Sequence, residues 1–84
     1  MKIEINNQRV VAFRKTTEFE ITVTNKKGDD MELIISKWVI DDEYETDNGL
    51  DILSDKYAEV ETKVVEDFLG DDYDDFIDQI NELN

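Results

Sequence analysis

Residues 18–40 read EFEITVTNKKGDDMELIISKWVI, two apolar stretches separated by a short polar loop. In the first stretch Phe19, Ile21 and Val23 alternate with polar residues, which is the pattern of a strand with one buried face. Gly28 in the loop suits the left-handed backbone of a tight turn. The second stretch has apolar residues on both faces, as is typical of a central strand covered on both sides. These residues therefore predict a β-hairpin at the centre of the fold.

The residues before this hairpin show the same alternation. In residues 1–5, three apolar side chains fall on one face, as in a strand. Asn6-Asn7 predicts a tight turn, because Asn tolerates a positive φ, and a further strand over residues 9–14 follows it. With the central hairpin, the first half of the chain predicts an antiparallel sheet of three to four strands.

The spacing of the apolar residues changes after residue 40. Residues 41–51, DDEYETDNGLD, are mostly polar and predict a crossing connection with a turn at Asn48-Gly49. The chain contains no proline and no linker rich in Ser and Gly. Residues 1–84 are therefore expected to form a single domain.

Two helices are predicted in the last third of the chain. Ser54 is an N-cap candidate, and Gly70 is a typical residue just beyond a helix C-terminus. Between them the apolar face is formed by Tyr57, Val60, Val64 and Phe68. A second apolar face predicts another helix over residues 72–83. The sequence thus predicts an α+β fold, with a small antiparallel sheet of three to four strands followed by two C-terminal helices packed on one face.

The charge of the chain is divided unequally along its length. Residues 1–40 carry seven Lys/Arg and six Asp/Glu, whereas residues 41–84 carry two Lys and seventeen Asp/Glu. Nearly all of the formal net charge of −14 therefore lies on the second half. Self-repulsion of this size destabilises a compact state, which favours a function for the charge.

The composition argues against catalysis and metal binding. The chain has no His and no Cys, so it lacks the commonest general base and the strongest nucleophile. An EF-hand loop with Gly49 at its sixth position would place Tyr44 and Thr46 where acidic ligands are required. We therefore expect no enzyme activity, no cofactor and no dedicated metal site.

Composition also bears on compartment and partner. The absence of Cys suits a reducing cytosol, and neither a signal peptide nor an apolar run long enough to span a bilayer is present, so a cytoplasmic protein is expected. Negative charge would be repelled by anionic lipids and by nucleic acid, so neither is expected as a direct partner. The expected partner is a basic nucleic-acid-binding protein.

Rows of acidic residues are the main candidate for a binding surface. On a helix, carboxylates four residues apart are separated by about 6 Å along the axis, close to the distance between successive phosphates of a nucleic-acid strand. Tyr44, surrounded by acids, is the type of residue that anchors an interface. The residues predicted to bind a partner are Asp41, Asp42, Glu43, Tyr44, Glu45, Asp47, Asp71, Asp72, Asp74, Asp75 and Asp78.

The stretches 41–45 (DDEYE) and 71–75 (DDYDD), with Asp78, resemble those of the DNA-mimic inhibitors of phages and mobile elements. These include anti-CRISPR proteins, anti-restriction proteins and inhibitors of uracil-DNA glycosylase. They are small, acidic and poor in cysteine, and the resemblance is one of composition. It implies competitive inhibition of a basic groove built for phosphates, first in a CRISPR effector nuclease and then in a restriction or DNA-repair enzyme.

Two other functions fit the same composition. An immunity or antitoxin protein that neutralises a basic toxin nuclease would also present acids to a nucleic-acid-binding groove. An acidic accessory domain without a dedicated partner would use its charge for solubility alone. The predicted sheet leaves the oligomeric state open between a monomer and a homodimer, because an exposed strand edge can pair with a second copy.

Overall fold

A computed structural model describes residues 1–11, 16–41 and 46–83, and for residues 40, 41 and 46–48 it describes the backbone alone. The strands form one antiparallel sheet in sequence order, and a helical segment follows. The elements are β1 (Lys2–Val11), β2 (Thr16–Thr24), β3 (Asp30–Asp41), β4 (Thr46–Ser54), α1 (Thr62–Leu69), a 3-10 turn (Gly70–Asp72) and α2 (Tyr73–Asn81). The prediction of an α+β fold with an antiparallel sheet before the helical residues is confirmed.

The central hairpin forms as the sequence indicates. β2 and β3 pair in a regular antiparallel register that places Phe19 opposite Ile35 and Val23 opposite Met31. Gly28 has a φ of 87°, the left-handed conformation expected for it in the connecting loop. Alternation in the sequence was sufficient to predict this hairpin because one face of both strands is buried.

The prediction of a turn at Asn6-Asn7 is wrong. β1 continues through both residues and pairs with β2 along its whole length, with a register shift between Ile5 and Asn7. This shift is a β-bulge, in which one extra residue is accommodated without ending the strand. The Asn6 side-chain amide donates a hydrogen bond to Thr22 Oγ1 at 2.8 Å, which holds the bulge against the neighbouring strand.

The prediction of a crossing connection over residues 41–51 is also wrong. Residues 46–54 form β4, an edge strand paired with β3, and Asn48-Gly49 lies within it rather than in a turn. Gly49 is opposite Trp38, and a Cβ atom at Gly49 would lie 1.8 Å from Cζ2 of the indole. Glycine is thus required here by the close approach of an aromatic ring, not by turn geometry.

The first helix begins later than predicted. Ser54 does not cap a helix; its hydroxyl accepts hydrogen bonds from the backbone N–H groups of Lys56 and Ala58 at 3.3 and 3.2 Å. The chain turns there and returns beside β4, where the Val60 N–H donates to the Ile52 carbonyl at 3.1 Å. Serine stabilises turns and helix N-termini by the same hydrogen bonds, so this residue alone could not distinguish them.

The helical residues form one continuous segment, Thr62–Asn81, so the prediction of two separate helices is not confirmed. A local break occurs at Gly70, whose φ is 58°. α1 ends there as the sequence predicts, and the Gly70 N–H donates to the Glu66 carbonyl. The break lets both α-helical parts place their apolar residues against the sheet.

One face of the sheet, here called the covered face, carries the helical segment. The core between them consists of Phe19, Ile21, Val23, Leu33, Ile35, Val65, Leu69, Phe76 and Ile80. Among the aromatic residues, Phe19 and Phe76 are buried in this core and Phe68 packs at its margin, whereas Trp38 is half-buried and does not belong to it. Phe13 lies outside the described residues. Within the described part of the chain, no helix is long and apolar enough to cross a bilayer.

The opposite face of the sheet, here called the open face, has no helix over it in the described part of the chain. Its residues alternate with those of the core, so Glu20, Ile34 and Trp38 all point to this side. Ile34 is nevertheless only 3% exposed. β3 is central in the sheet, as predicted, but the prediction that it is covered on both sides is not confirmed. On the open face the cross-strand neighbours of Ile34 are Glu20 and Leu53, and no second layer covers it within the described residues.

Lys37 connects the covered face to the end of the helical segment. Its Nζ donates hydrogen bonds to the carbonyl oxygens of Asn81 and Leu83 at 2.7 and 2.6 Å. A cation at a helix C-terminus satisfies carbonyls that have no partner within the helix and complements the helix dipole. Burial lowers the pKa of Lys37, because removing the ammonium group from water disfavours its charged form.

Candidate protein-binding surface

The helical segment and its flanking residues carry most of the described acidic side chains. Residues 61–83 contain nine Asp/Glu and a single Lys, Lys63. All of these acids except Asp72 are exposed. The exposed ones, here called the acidic helical surface, are Glu61, Glu66, Asp67, Asp71, Asp74, Asp75, Asp78 and Glu82.

Packing of the apolar residues fixes the direction of these acids. Phe76 and Ile80 of α2 are fully buried against the sheet, and the three acids Asp74, Asp75 and Asp78, which lie off this buried stripe of the helix, are exposed to solvent. Asp74 and Asp75 occupy the first turn of α2, where the positive end of the helix dipole favours anions. Asp74 and Asp78 are four residues apart in α2 and thus about 6 Å apart along its axis.

The break at Gly70 brings acids from both parts of the segment together. Tyr73, the first residue of α2, is near Glu66 of α1 and Asp74 of α2. Burial, followed by the charges of these two carboxylates, raises the pKa of Tyr73, and a hydrogen bond with Thr62 opposes the shift. Both carboxylates disfavour the phenolate, so the two parts of the segment contribute to one region of negative potential.

Cations do not neutralise this surface in the part of the chain that the structure describes. The ion pairs found there join Arg9 to Glu18, and Lys26 and the N-terminal amino group to Asp72. None of them involves an acid of the acidic helical surface. These carboxylates are therefore available to an external cation.

Asp72 differs from its acidic neighbours. Its side chain is only 13% exposed, with one carboxylate oxygen 3.7 Å from the Met1 amino nitrogen and the other 3.6 Å from Nζ of Lys26. Asp72 thus links the helical segment to the start of β1 and to the loop between β2 and β3. Among the predicted partner-binding residues, Asp71, Asp74, Asp75 and Asp78 lie together and face solvent, whereas Asp72 faces inward.

The other predicted acids belong to the end of the sheet. Asp41 is the last residue of β3, and Asp47 lies in β4 opposite Ile40, but their side chains are not described. Asp42, Glu43, Tyr44 and Glu45 lie outside the described residues. Asp41 follows Lys37 by four residues, or roughly 13 Å along an extended strand.

The open face contains a polar cluster that the sequence did not indicate. Arg9 Nη2 donates to Glu18 Oε2 and to the Tyr57 hydroxyl, both at 2.6 Å, and the Tyr57 hydroxyl donates to Glu18 at 3.1 Å. The hydrogen bond from Arg9 to Glu18, followed by the charge of Glu18, raises the pKa of Arg9. Tyr57 fits the helical period of the residues after it, and no signal in the sequence placed it beside two strands.

The open face also has a shallow cleft of about 430 Å³. Its polar rim includes Glu20, Glu32 and Asp55, and Ile34 contributes to its apolar lining. In the described ranges, no group of three or more potential ligand side chains is arranged to hold a metal ion. The cleft thus adds negative charge to the open face without forming a metal centre.

In comparisons of sequence and structure, no protein family, curated protein or solved structure matches this chain.

Proposed function

We propose that this protein is an acidic inhibitor that occupies the basic nucleic-acid-binding groove of a target enzyme in the bacterial cytosol. The observation that supports the proposal is the acidic helical surface, on which eight exposed carboxylates follow one helical segment anchored by buried apolar residues. Because the segment is packed on the sheet, the acids are held in place before a partner arrives. Preorganised charges lose less entropy on binding than charges on a flexible tail.

A groove that binds phosphates is the complement of such a surface. It presents Lys and Arg side chains along a path, and a row of carboxylates with similar spacing can replace the phosphates. Electrostatic attraction should accelerate association, and added salt should weaken it. A CRISPR effector nuclease is the first target to test, followed by a restriction enzyme and a DNA-repair glycosylase.

The proposal can be tested with two variants that change the net charge by the same amount. The first replaces Asp71, Asp74, Asp75 and Asp78 with Asn on the acidic helical surface. The second replaces Glu20 and Glu32 with Gln, and Asp51 and Asp55 with Asn; all four are exposed and lie on or next to the open face.

Both variants are added to DNA-cleavage reactions with a panel of the three target classes, and binding to each enzyme is measured with and without DNA. The unmodified protein should inhibit one class and compete with its DNA. The helical variant should bind ten- to a hundredfold more weakly, since an exposed ion pair is worth up to about 1 kcal/mol. The open-face variant should retain most of the inhibition.

Equal loss in both variants would show that bulk charge, rather than the acidic helical surface, determines binding. Failure to inhibit any enzyme of the panel at low salt would contradict the proposed DNA mimicry. A nuclease toxin encoded beside this protein is assayed as a fourth enzyme, and inhibition confined to it would assign the same surface to an immunity protein instead.

A further inference from the structure

The two outer edges of the sheet differ. The outer edge of β4 is partly paired, because residues 58–60 return along it with a bridge between Leu53 and Glu59. β1, by contrast, pairs with β2 on one side, and within the described residues no strand lies on its other side. β1 thus presents the backbone N–H and C=O groups of an edge strand ten residues long.

β1 also exposes apolar side chains. Ile5 is 48% exposed and Val10 is 68% exposed. Both point to the covered face. Ile5 pairs with Ile21, which is in the core, and Val10 lies two residues after Gln8, which pairs with the core residue Phe19. The helical segment does not extend far enough to bury them. Apolar side chains beside an unpaired strand edge favour the addition of another strand.

The bulge in β1 determines in which register a second strand can pair with its outer edge. Ile5 and Val10 are an odd number of residues apart and would point to opposite faces of a regular strand. The extra residue between Ile5 and Asn7 changes the alternation of side chains, so Ile3 and Ile5 before the bulge and Gln8 and Val10 after it all point to the covered face. A strand with this property can pair antiparallel with its own copy.

We propose that β1 pairs antiparallel with β1 of a second copy of this chain, about a two-fold axis between Asn6 and Asn7. Ile3 then lies opposite Val10 of the second copy, and Ile5 lies opposite Gln8 of the second copy. The two-fold axis repeats both pairs. The faces match at every pair, and the two sheets join into one sheet of eight strands. The symmetry is that of a closed dimer.

The charged residues agree with this register. Glu4 lies opposite Arg9 of the second copy, and the pair occurs twice in the dimer. The described contacts of Arg9 to Glu18 and Tyr57 both involve Nη2. A guanidinium group has five N–H donors, so Arg9 can also reach a carboxylate across the new strand pair. Opposite charges directly across two strands stabilise their pairing.

The proposed dimer does not depend on the proposed inhibitory function, and the two can be distinguished by their response to salt. Each copy has a formal charge of −14, so two copies repel each other at low ionic strength. Added salt screens that repulsion and should favour the dimer. Binding of the acidic helical surface to a basic groove should respond to salt in the opposite direction.

Sedimentation velocity over a range of protein concentrations tests the dimer, at low salt and at about 1 M salt, where the screening length is about 3 Å. The unmodified protein should form a dimer whose dissociation constant falls by tenfold or more in high salt. Val10→Lys and Glu4→Arg should each abolish it, the first by placing charge at an apolar pair and the second by opposing two Arg residues.

Val64→Lys is the matched control, because Val64 is also exposed but lies on α1 and the change in charge is the same. This variant should dimerise normally, and circular dichroism should show that all three variants fold. Methyl NOEs between Ile3 and Val10, measured between labelled and unlabelled copies, should identify the register. A monomer under every condition, or a dimer unaffected by Val10→Lys and Glu4→Arg, would overturn the proposal.

Discussion

The two faces of the sheet are maintained by different interactions. The covered face is stabilised by burial, since its buried core side chains come from β2, β3 and the helical segment. The open face depends on contacts between particular side chains, such as Trp38 over Gly49 and Arg9 with Glu18 and Tyr57. Stability should therefore be concentrated on the covered face, and substitutions on the open face should cost less unless they create a steric overlap.

Phe76→Ala should produce the largest effect. Phe76 is fully buried between α2 and the sheet, so truncation removes its burial and leaves a cavity. Such changes cost about 3–5 kcal/mol, which is a large part of the stability of a small domain. Urea denaturation followed by circular dichroism measures the loss.

Val64→Ala is the control for Phe76→Ala, because Val64 is on α1 but exposed. Its effect should stay within about 0.5 kcal/mol. Similar losses in the two variants would show that the helical segment is not anchored by its buried residues. Such a result would contradict the expectation that stability is concentrated on the covered face.

Gly49→Ala should produce an intermediate effect, because it tests a close contact on the open face. The added methyl group would overlap the Trp38 ring and force it to move, at a cost of about 1–3 kcal/mol. In the variant Trp38→Ala the ring is absent, so adding Gly49→Ala should cost almost nothing. A double-mutant cycle measured by urea denaturation gives the interaction energy. Additive losses would mean that Gly49 is needed for its backbone conformation instead.

The sequence predicts correctly those parts of the fold in which burial of one face gives the apolar residues a regular spacing. Alternation identified the hairpin of β2 and β3, and the helical period identified the apolar residues of α2. Residues without such a period were assigned by local turn propensity, which failed at Asn6-Asn7 and Asn48-Gly49, or by helix-capping propensity, which failed at Ser54. At each of these positions, pairing with a neighbouring strand or a cross-strand contact determined the conformation, and neither is visible in a local stretch of sequence.

The candidate site was predictable to a similar extent. Helical spacing and charge were sufficient to place Asp71, Asp74, Asp75 and Asp78 together on one exposed segment. The same pattern could not distinguish Asp72, because its inward position depends on Met1 and Lys26, which are distant in sequence. The predicted helix after Ser54 would have included Asp55 and Glu59, but both lie before α1, in the turn and in the residues that return beside β4.

Tyr57→Phe should produce the smallest effect. Tyr57 has a φ of 62°, which is unfavourable for a bulky side chain, yet its hydroxyl contacts Arg9 and Glu18 across the open face. Tyr57 is 48% exposed, and surface substitutions usually change stability by less than about 0.5 kcal/mol. Urea denaturation should confirm a loss in that range. A loss above about 1.5 kcal/mol would mean that the cluster stabilises the open face as strongly as hydrogen bonds stabilise a protein interior.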